Sequence, residues 1–292
     1  MRAFLTKTRM ILDMIKFEHT IFAMPFALIS VLLASRSQPH GLPPGRTLSW
    51  IVLAMVGARS AAMSFNRLAD AEIDRQNPRT ANRHLPAGLL TSAQVWLFFA
   101  AAVVLFEMAA WELNRLCFLL SPLALACVLG YSYTKRFTSL CHLCLGFAIG
   151  IAPIGAWLAV TGKFSLIPVL LGAIVMLWIG GFDIIYALQD YDFDLRSSVY
   201  SLPKALGKAR ALRISRLMHA LMIGLLLAVG LFDGLHAIYF LGVCVVAALI
   251  AYEQCLVKPD DLRRVNVAFF TLNGWVSLSL FAFVLLDSLL HR

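Results

Sequence analysis

The sequence predicts an all-α membrane fold, a polytopic bundle of spanning helices, and three observations carry that prediction. The 292 residues are 60% hydrophobic and only 14% charged, with a mean hydropathy of +0.80. That is more apolar surface than a soluble core of this size can bury. The apolar runs are mostly of the ~20-residue length that crosses a bilayer as a helix. Polar or Pro/Gly breaks separate them.

Nine spans are read in order, at about 19–35, 48–69, 92–110, 115–133, 139–160, 165–188, 212–232, 236–256 and 266–288. The first has basic residues before it and ends at Ala34 and Ser35, so it superficially resembles a secretory signal. Asp13 and Glu18 in the basic region and Pro25 within the run favour a spanning helix instead. An odd number of spans puts the termini on opposite sides. Nineteen lysines and arginines flank the connections on the side that carries the N-terminus, five flank the other side, and Arg59 lies inside a span. The asymmetry predicts that the N-terminus lies in the cytoplasm, and a bacterial plasma (inner) membrane is the expected location. The connections from Asp70 to Thr91 and from Asp190 to Ala211 are both on that side, and both are long enough to form a site. Most connections on the other side are too short to separate neighbouring helices, which therefore pair antiparallel.

The net charge of +9 is spread over these loops, and no soluble segment exists to carry a nucleic-acid site. Most of the six cysteines fall in apolar runs, where thiols pack as small hydrophobes. Cys141 and Cys144 form a single CxxC, which without a second pair is no basis for a metal or redox site.

Two acidic stretches stand out. The first, NRLADAEIDRQNPRTANRHLPAG from Asn66 to Gly88, places Asn66, Asp70 and Asp74 at intervals of four, followed by Arg79 and Arg83. The second, DIIYALQDYDFD, holds Asp183, Tyr186, Asp190 and Asp194. At 3.6 residues per turn each set falls on one face of a helix. Asp70 and Asp74 precede Asp190 and Asp194 by 120 residues, so the single domain, 1–292, reads as two comparable halves, about 1–138 and 139–292. One carboxylate pair at a helix end reads equally well as solvated charge. Two sets, each closing a span and each followed by basic residues, instead suit a polyanion bridged by a hard cation, since carboxylates hold Mg²⁺ and guanidiniums fork onto phosphate.

Arg59 costs at least ~2.5 kcal/mol inside a span unless it faces a partner. It lies seven residues before Asn66 and eleven before Asp70, on the same helix face. An anionic group of a ligand and a structural ion pair are both consistent with that position. Tyr131, Tyr133, Lys135 and Arg136, in the run YSYTKR, close the fourth span. They read either as an ordinary interfacial cluster or as a further clamp for diphosphate.

NxxxDxxxD followed by PRTANRHLPAG, then YSYTKRFT, then DxxYAxxDxxxD closely resemble the UbiA superfamily of intramembrane aromatic prenyltransferases, over essentially the whole chain. The resemblance implies nine helices around a central cavity, Mg²⁺ dependence, a polyprenyl diphosphate donor and a small aromatic carboxylate as acceptor. It also implies that Asn66, Asp70 and Asp74 serve one Mg²⁺ and Asp190 and Asp194 another, with Asp183 and Tyr186 in the same cavity. Arg79, Arg83, Lys135 and Arg136 would grip diphosphate, and Tyr131 or Tyr186 would face the allylic cation. Arg67 departs from the family pattern, standing where many members carry an extra carboxylate. The similarity is closest to 4-hydroxybenzoate polyprenyltransferases of ubiquinone biosynthesis. The stretch KFEHTIFAMPF, Lys16 to Phe26, is instead more similar to members associated with menaquinone made through a dihydroxynaphthoate. Intramembrane charges also mark ion-coupled transporters, but here the carboxylates sit at helix ends and broken helices are not evident. A purely structural subunit leaves both acidic sets unexplained.

Overall fold

The structure is a computed structural model that describes residues 7, 10–15, 20–38 and 41–291. Arg2, Arg9, Lys16 and Arg292 of the charge pattern, and residues 16–19 of the KFEHTIFAMPF stretch, lie outside the described residues. Among those described, the named elements are all helices. They are α1 (Thr20–Ala34), a 3₁₀ turn (Ser35–Ser37), α2 (Gly45–Gln76), α3 (Ser92–Leu113), α4 (Arg115–Thr134), α5 (Cys141–Thr161) and α6 (Leu166–Ala187). Next come a 3₁₀ turn (Leu188–Asp190), α7 (Tyr191–Arg196), α8 (Leu202–Leu206), α9 (Lys208–Phe232) and α10 (Ala237–Leu256). A π-helical turn (Val267–Leu272) then leads into α11 (Asn273–Leu290).

Among the described residues, eight helices are long and apolar enough to cross a bilayer, counting α6 with its continuation to Arg196 and α11 with its π turn. The protein is therefore an integral membrane protein. The remaining expected span corresponds to the shorter apolar stretch Ala23–Ala34 of α1. Large side chains such as Leu97, Trp111, Leu231 and Phe232 are mostly exposed, as expected of helices whose outer faces meet lipid rather than water.

Two expectations about the connections are corrected. The first acidic set does not begin a loop, because α2 runs through it to Gln76. Nothing between Asn66 and Gln76 breaks a helix, and Pro78 stops it by restricting Asn77. Nor is the second set on one uninterrupted helix face. The 3₁₀ turn Leu188–Asp190 separates Asp183 from Asp190 and Asp194. Three residues at 3.0 rather than 3.6 per turn rotate the side chains beyond them by roughly 60°. The stretch from Asp190 to Ala211 also carries two short helices, α7 and α8.

The chain forms two compact units, Met1–Thr20 with Leu48–Tyr133, and Ile21–Thr47 with Thr134–Arg292. The division differs from the halves read in the sequence in that the first span is grouped with the later helices. Phe26 packs against Trp178 with ring centroids 5.0 Å apart and the planes tilted by 40°, and the Ser30 hydroxyl donates to the Pro153 carbonyl at 2.6 Å. In the first unit Met14 and Ile15 pack with Leu85, Leu90 and Val95, which holds the 77–91 connection beside α2. Thr91 caps α3 in a reciprocal capping box with Gln94.

The second unit has the larger core. Trp178, Ile174, Leu226, Val246 and Val276 are all fully buried in one apolar cluster. A satisfied polar chain crosses it, since Trp178 Nε1 donates to Asn273 Oδ1 at 2.6 Å and Asn273 Nδ2 donates to the Ala268 and Phe269 carbonyls. The latter bonds tie α11 to its π turn. Where α1 and α9 end and α10 begins, buried Asp287 accepts from the His236 and Tyr239 amides, supplying α10 with the cap its own residues lack. Arg36 adds a 2.9 Å ion pair with Asp233.

Candidate active site

In the first unit the carboxylates are held by near neighbours. Asp70 is 2% exposed and Asp74 4%. Asn66 Nδ2 donates to Asp70 Oδ2 at 2.9 Å, one helical turn away, as the i, i+4 spacing requires. Arg83 Nη1 donates to both oxygens of Asp74 at 2.7 Å, so the expected diphosphate-binding guanidinium is ion-paired with an expected metal ligand. Thr80 donates to the Asp74 carbonyl at 3.0 Å, and the Arg79 amide donates to Asn77 Oδ1 at 3.0 Å. These bonds fold the basic segment back onto the end of α2.

Arg67, read in the sequence only as a missing carboxylate, is a member of this cluster. It is 8% exposed, its Nε donates to the Met14 carbonyl at 3.2 Å, and its charge lies within reach of Asp70, Asp74, Arg83 and Tyr131. The Tyr131 hydroxyl in turn lies within electrostatic reach of Asp70, Arg67 and Arg59. Arg59, half-buried on α2, thus belongs with the first carboxylate set.

The second unit builds its own set around the end of α6. Asp183 Oδ2 lies 2.6 Å from His142 Nδ1, and buried Asp194 accepts at 2.7 Å from the hydroxyl of Ser201. Asp190, Lys135 and Lys204 are within electrostatic reach of Asp194. The Lys135 carbonyl accepts from the Tyr200 amide at 2.7 Å. Lys135 is thereby tied to the same loop, with Arg136 next in the chain. Tyr186 packs its ring on Phe269 at 4.2 Å between centroids, with Phe270 at 6.2 Å. Cys141 and Cys144 are free thiols, and Cys141 Sγ donates to the Tyr200 carbonyl at 3.5 Å.

Sequence reasoning missed His142 and Ser201. His142 stands in an apolar run with no neighbouring polar pattern. Ser201 did carry a signal, because serine two residues before a proline marks a helix start, and it does cap α8.

Both sets present oxygen donors, which suits a hard divalent cation such as Mg²⁺ rather than a thiophilic one. Guanidinium and ammonium groups lie beside them, where they can bind the oxygens of a phosphate ester.

The family model for the UbiA prenyltransferase family matches residues 23–275. A 4-hydroxybenzoate octaprenyltransferase from Aliivibrio fischeri (strain MJ11) is 32% identical over 251 residues, 85% of this chain and 87% of that protein. The apo structure of a UbiA homologue from Aeropyrum pernix K1 superposes with a TM-score of 0.83 at 36% identity, covering 92% of this chain and 98% of that one. The fold is shared as well with a UbiA homologue from Archaeoglobus fulgidus solved with GPP and Mg²⁺, at a TM-score of 0.72 and 18% identity over 95% and 99% of the two chains. Matched along nearly its whole length, and carrying a carboxylate set with adjacent cationic groups in each unit, the chain belongs to the UbiA prenyltransferase family and is a prenyl-transferring enzyme, the first of the three readings its sequence left open.

Proposed function

We propose that the protein transfers a polyprenyl group from polyprenyl diphosphate to 4-hydroxybenzoate, at the ring carbon ortho to the hydroxyl, in a Mg²⁺-dependent reaction of respiratory quinone biosynthesis. The observation that carries this reading is the pairing of buried carboxylates with cationic side chains in each unit, Asp74 beside Arg83, Asp70 beside Arg67 and Asp194 beside Lys135. Relatives named as 4-hydroxybenzoate octaprenyltransferases support the acceptor. The stretch Lys16–Phe26 motivates a second acceptor, 1,4-dihydroxy-6-naphthoate. Parallel assays of the purified protein with the two acids decide between them. Preferred turnover of the naphthoate would move the enzyme to the menaquinone route.

In this reading Asn66, Asp70 and Asp74 hold one Mg²⁺, and Asp190 and Asp194 hold another with Asp183 beside them. Bound there, Mg²⁺ supplies positive charge that stabilises the departing diphosphate. Arg79, Arg83, Lys135 and Arg136 bind the diphosphate oxygens and take up charge as the allylic C–O bond breaks. For Arg83 that means exchanging the Asp74 carboxylate for phosphate. The ring faces of Tyr131 and Tyr186 lie against the allylic cation, and apolar surroundings keep water from it. The electron-rich ring carbon then forms the new C–C bond and loses its proton.

Arg59 is assigned to the carboxylate of the aromatic acid. Arg59→Lys keeps the charge and loses the planar fork, so the acceptor KM should rise by about tenfold, ~1.4 kcal/mol, while the donor KM stays near normal. Separate titrations of donor and acceptor check this, and a selective donor defect would reassign Arg59 to diphosphate. A lowered melting temperature with both constants unchanged would make it a structural ion pair.

The charge asymmetry supports a cytoplasmic side for the active site and the N-terminus. A cysteine introduced in the 77–91 connection of a cysteine-free variant should react only with reagent on the cytoplasmic side. One introduced between Gln38 and Thr47 should react only from outside. The reverse pattern would invert the topology.

A further inference from the structure

The loop between α7 and α8 holds both ends of the second carboxylate set. The hydroxyl of Ser201 donates to Asp194 Oδ2 at 2.7 Å while accepting from the Lys204 amide at 3.3 Å. The next amide, that of Leu202, donates at 3.3 Å to Nε2 of His142. On its other side His142 sets Nδ1 2.6 Å from Asp183 Oδ2, and the residue is 3% exposed. Lys204 closes the loop by donating from Nζ to the Ser197 and Val199 carbonyls, both at 2.8 Å.

Two partners hold the imidazole, the Leu202 amide pointing at Nε2 and the Asp183 carboxylate facing Nδ1. A proton on Nδ1 bonds the ring to that carboxylate. With Oδ2 held by this bond, Oδ1 is the oxygen Asp183 offers to a cation.

We infer that His142 is a positioning residue for the transfer reaction, orienting Asp183 through its Nδ1, with the Leu202 amide only steadying the ring. The inference rests on the reading of Asp183, Asp190 and Asp194 as a metal-binding set. A ligand carboxylate that is itself hydrogen-bonded keeps its orientation at no entropic cost when the metal arrives, and losing such a partner typically weakens metal affinity or activity by about 10–100-fold.

Two variants of the full-length protein separate the functions of the ring. In His142→Asn the side-chain amide can reach Asp183 much as Nδ1–H does, but no acceptor remains for Leu202. In His142→Gln the amide extends toward the Nε2 position and the bond to Asp183 is lost. Mg²⁺ half-saturation of transfer, and Mn²⁺ binding followed by electron paramagnetic resonance without donor or acceptor, are measured for both. His142→Gln should weaken both by at least tenfold, and His142→Asn should return both to within about threefold of wild type. Equal metal affinity in wild type and His142→Gln, with only a lowered melting temperature, would overturn the inference. So would a tenfold or larger loss in folded His142→Asn relative to wild type, a measurement that stands even if the glutamine variant does not fold. Asp190→Ala keeps the two readings apart. If it retains full activity, the metal-binding set itself is wrong; if it is inactive while His142→Gln behaves as wild type, only the positioning role fails.

Discussion

Asp70→Ala and Asp190→Ala are each expected to lower transfer by about three orders of magnitude or more, the loss typical when a principal electrostatic contact to a developing charge is removed, without unfolding the protein. Asp70 is buried at the end of a helix with Asn66 as its neighbour. In the proposed reading its loss would take an oxygen ligand from a cation that prefers several in near-octahedral order. The surroundings tolerate the change because Arg67, the nearby buried cation, keeps Asp74 within reach and its bond to the Met14 carbonyl. Initial rates at saturating Mg²⁺, with melting temperatures alongside, check both variants. Near-normal transfer by either would remove the two-set account of the site.

The largest expected effect on stability is in the α5–α6 contact. A Cβ at Gly146 would overlap the Met176 carbonyl, and one at Gly150 would overlap the Gly172 carbonyl. Both obstacles are backbone, so no rotamer change relieves them. Gly146→Val should therefore cost about 3 kcal/mol, the upper end of the range for overpacking, and should lower activity by displacing His142 and Asp183, which these two helices carry. Gly155→Val on the same helix is the control, because nothing lies within 4 Å of a Cβ there, and a cost of about 0.5 kcal/mol is expected. Denaturant titration in detergent measures both. Equal destabilisation would mean that the close approach of the two helices is not what stabilises the unit.

The spans were legible because hydropathy over about 20 residues is a local property that the bilayer imposes. The length of α2 was less so. Its charged continuation, Ala69 to Gln76, ends the apolar run but not the helix, since alanine, glutamate and arginine propagate a helix in water as well as in lipid. Residue types at the site were equally readable, and Asn66 to Asp70 even by spacing. The pairing of Arg83 with Asp74 was not, because charges can be read from a chain but not which phosphate or carboxylate each will meet. His142 was hidden for a different reason. Its two partners, Asp183 on α6 and Leu202 on α8, are 41 and 60 residues away, and only tertiary packing brings both to one ring. The grouping of the first span with the later helices is likewise a tertiary fact, carried by Phe26 on Trp178.

The most direct test of Mg²⁺-dependent prenyl transfer uses the purified full-length protein in detergent with polyprenyl diphosphate and 4-hydroxybenzoate, before and after metal removal with EDTA. Prenylated acid and diphosphate should appear in equal amounts with Mg²⁺, stop on chelation and resume when Mg²⁺ is restored. Undiminished transfer after chelation, or no product from any aromatic acid with Mg²⁺ present, would contradict the account.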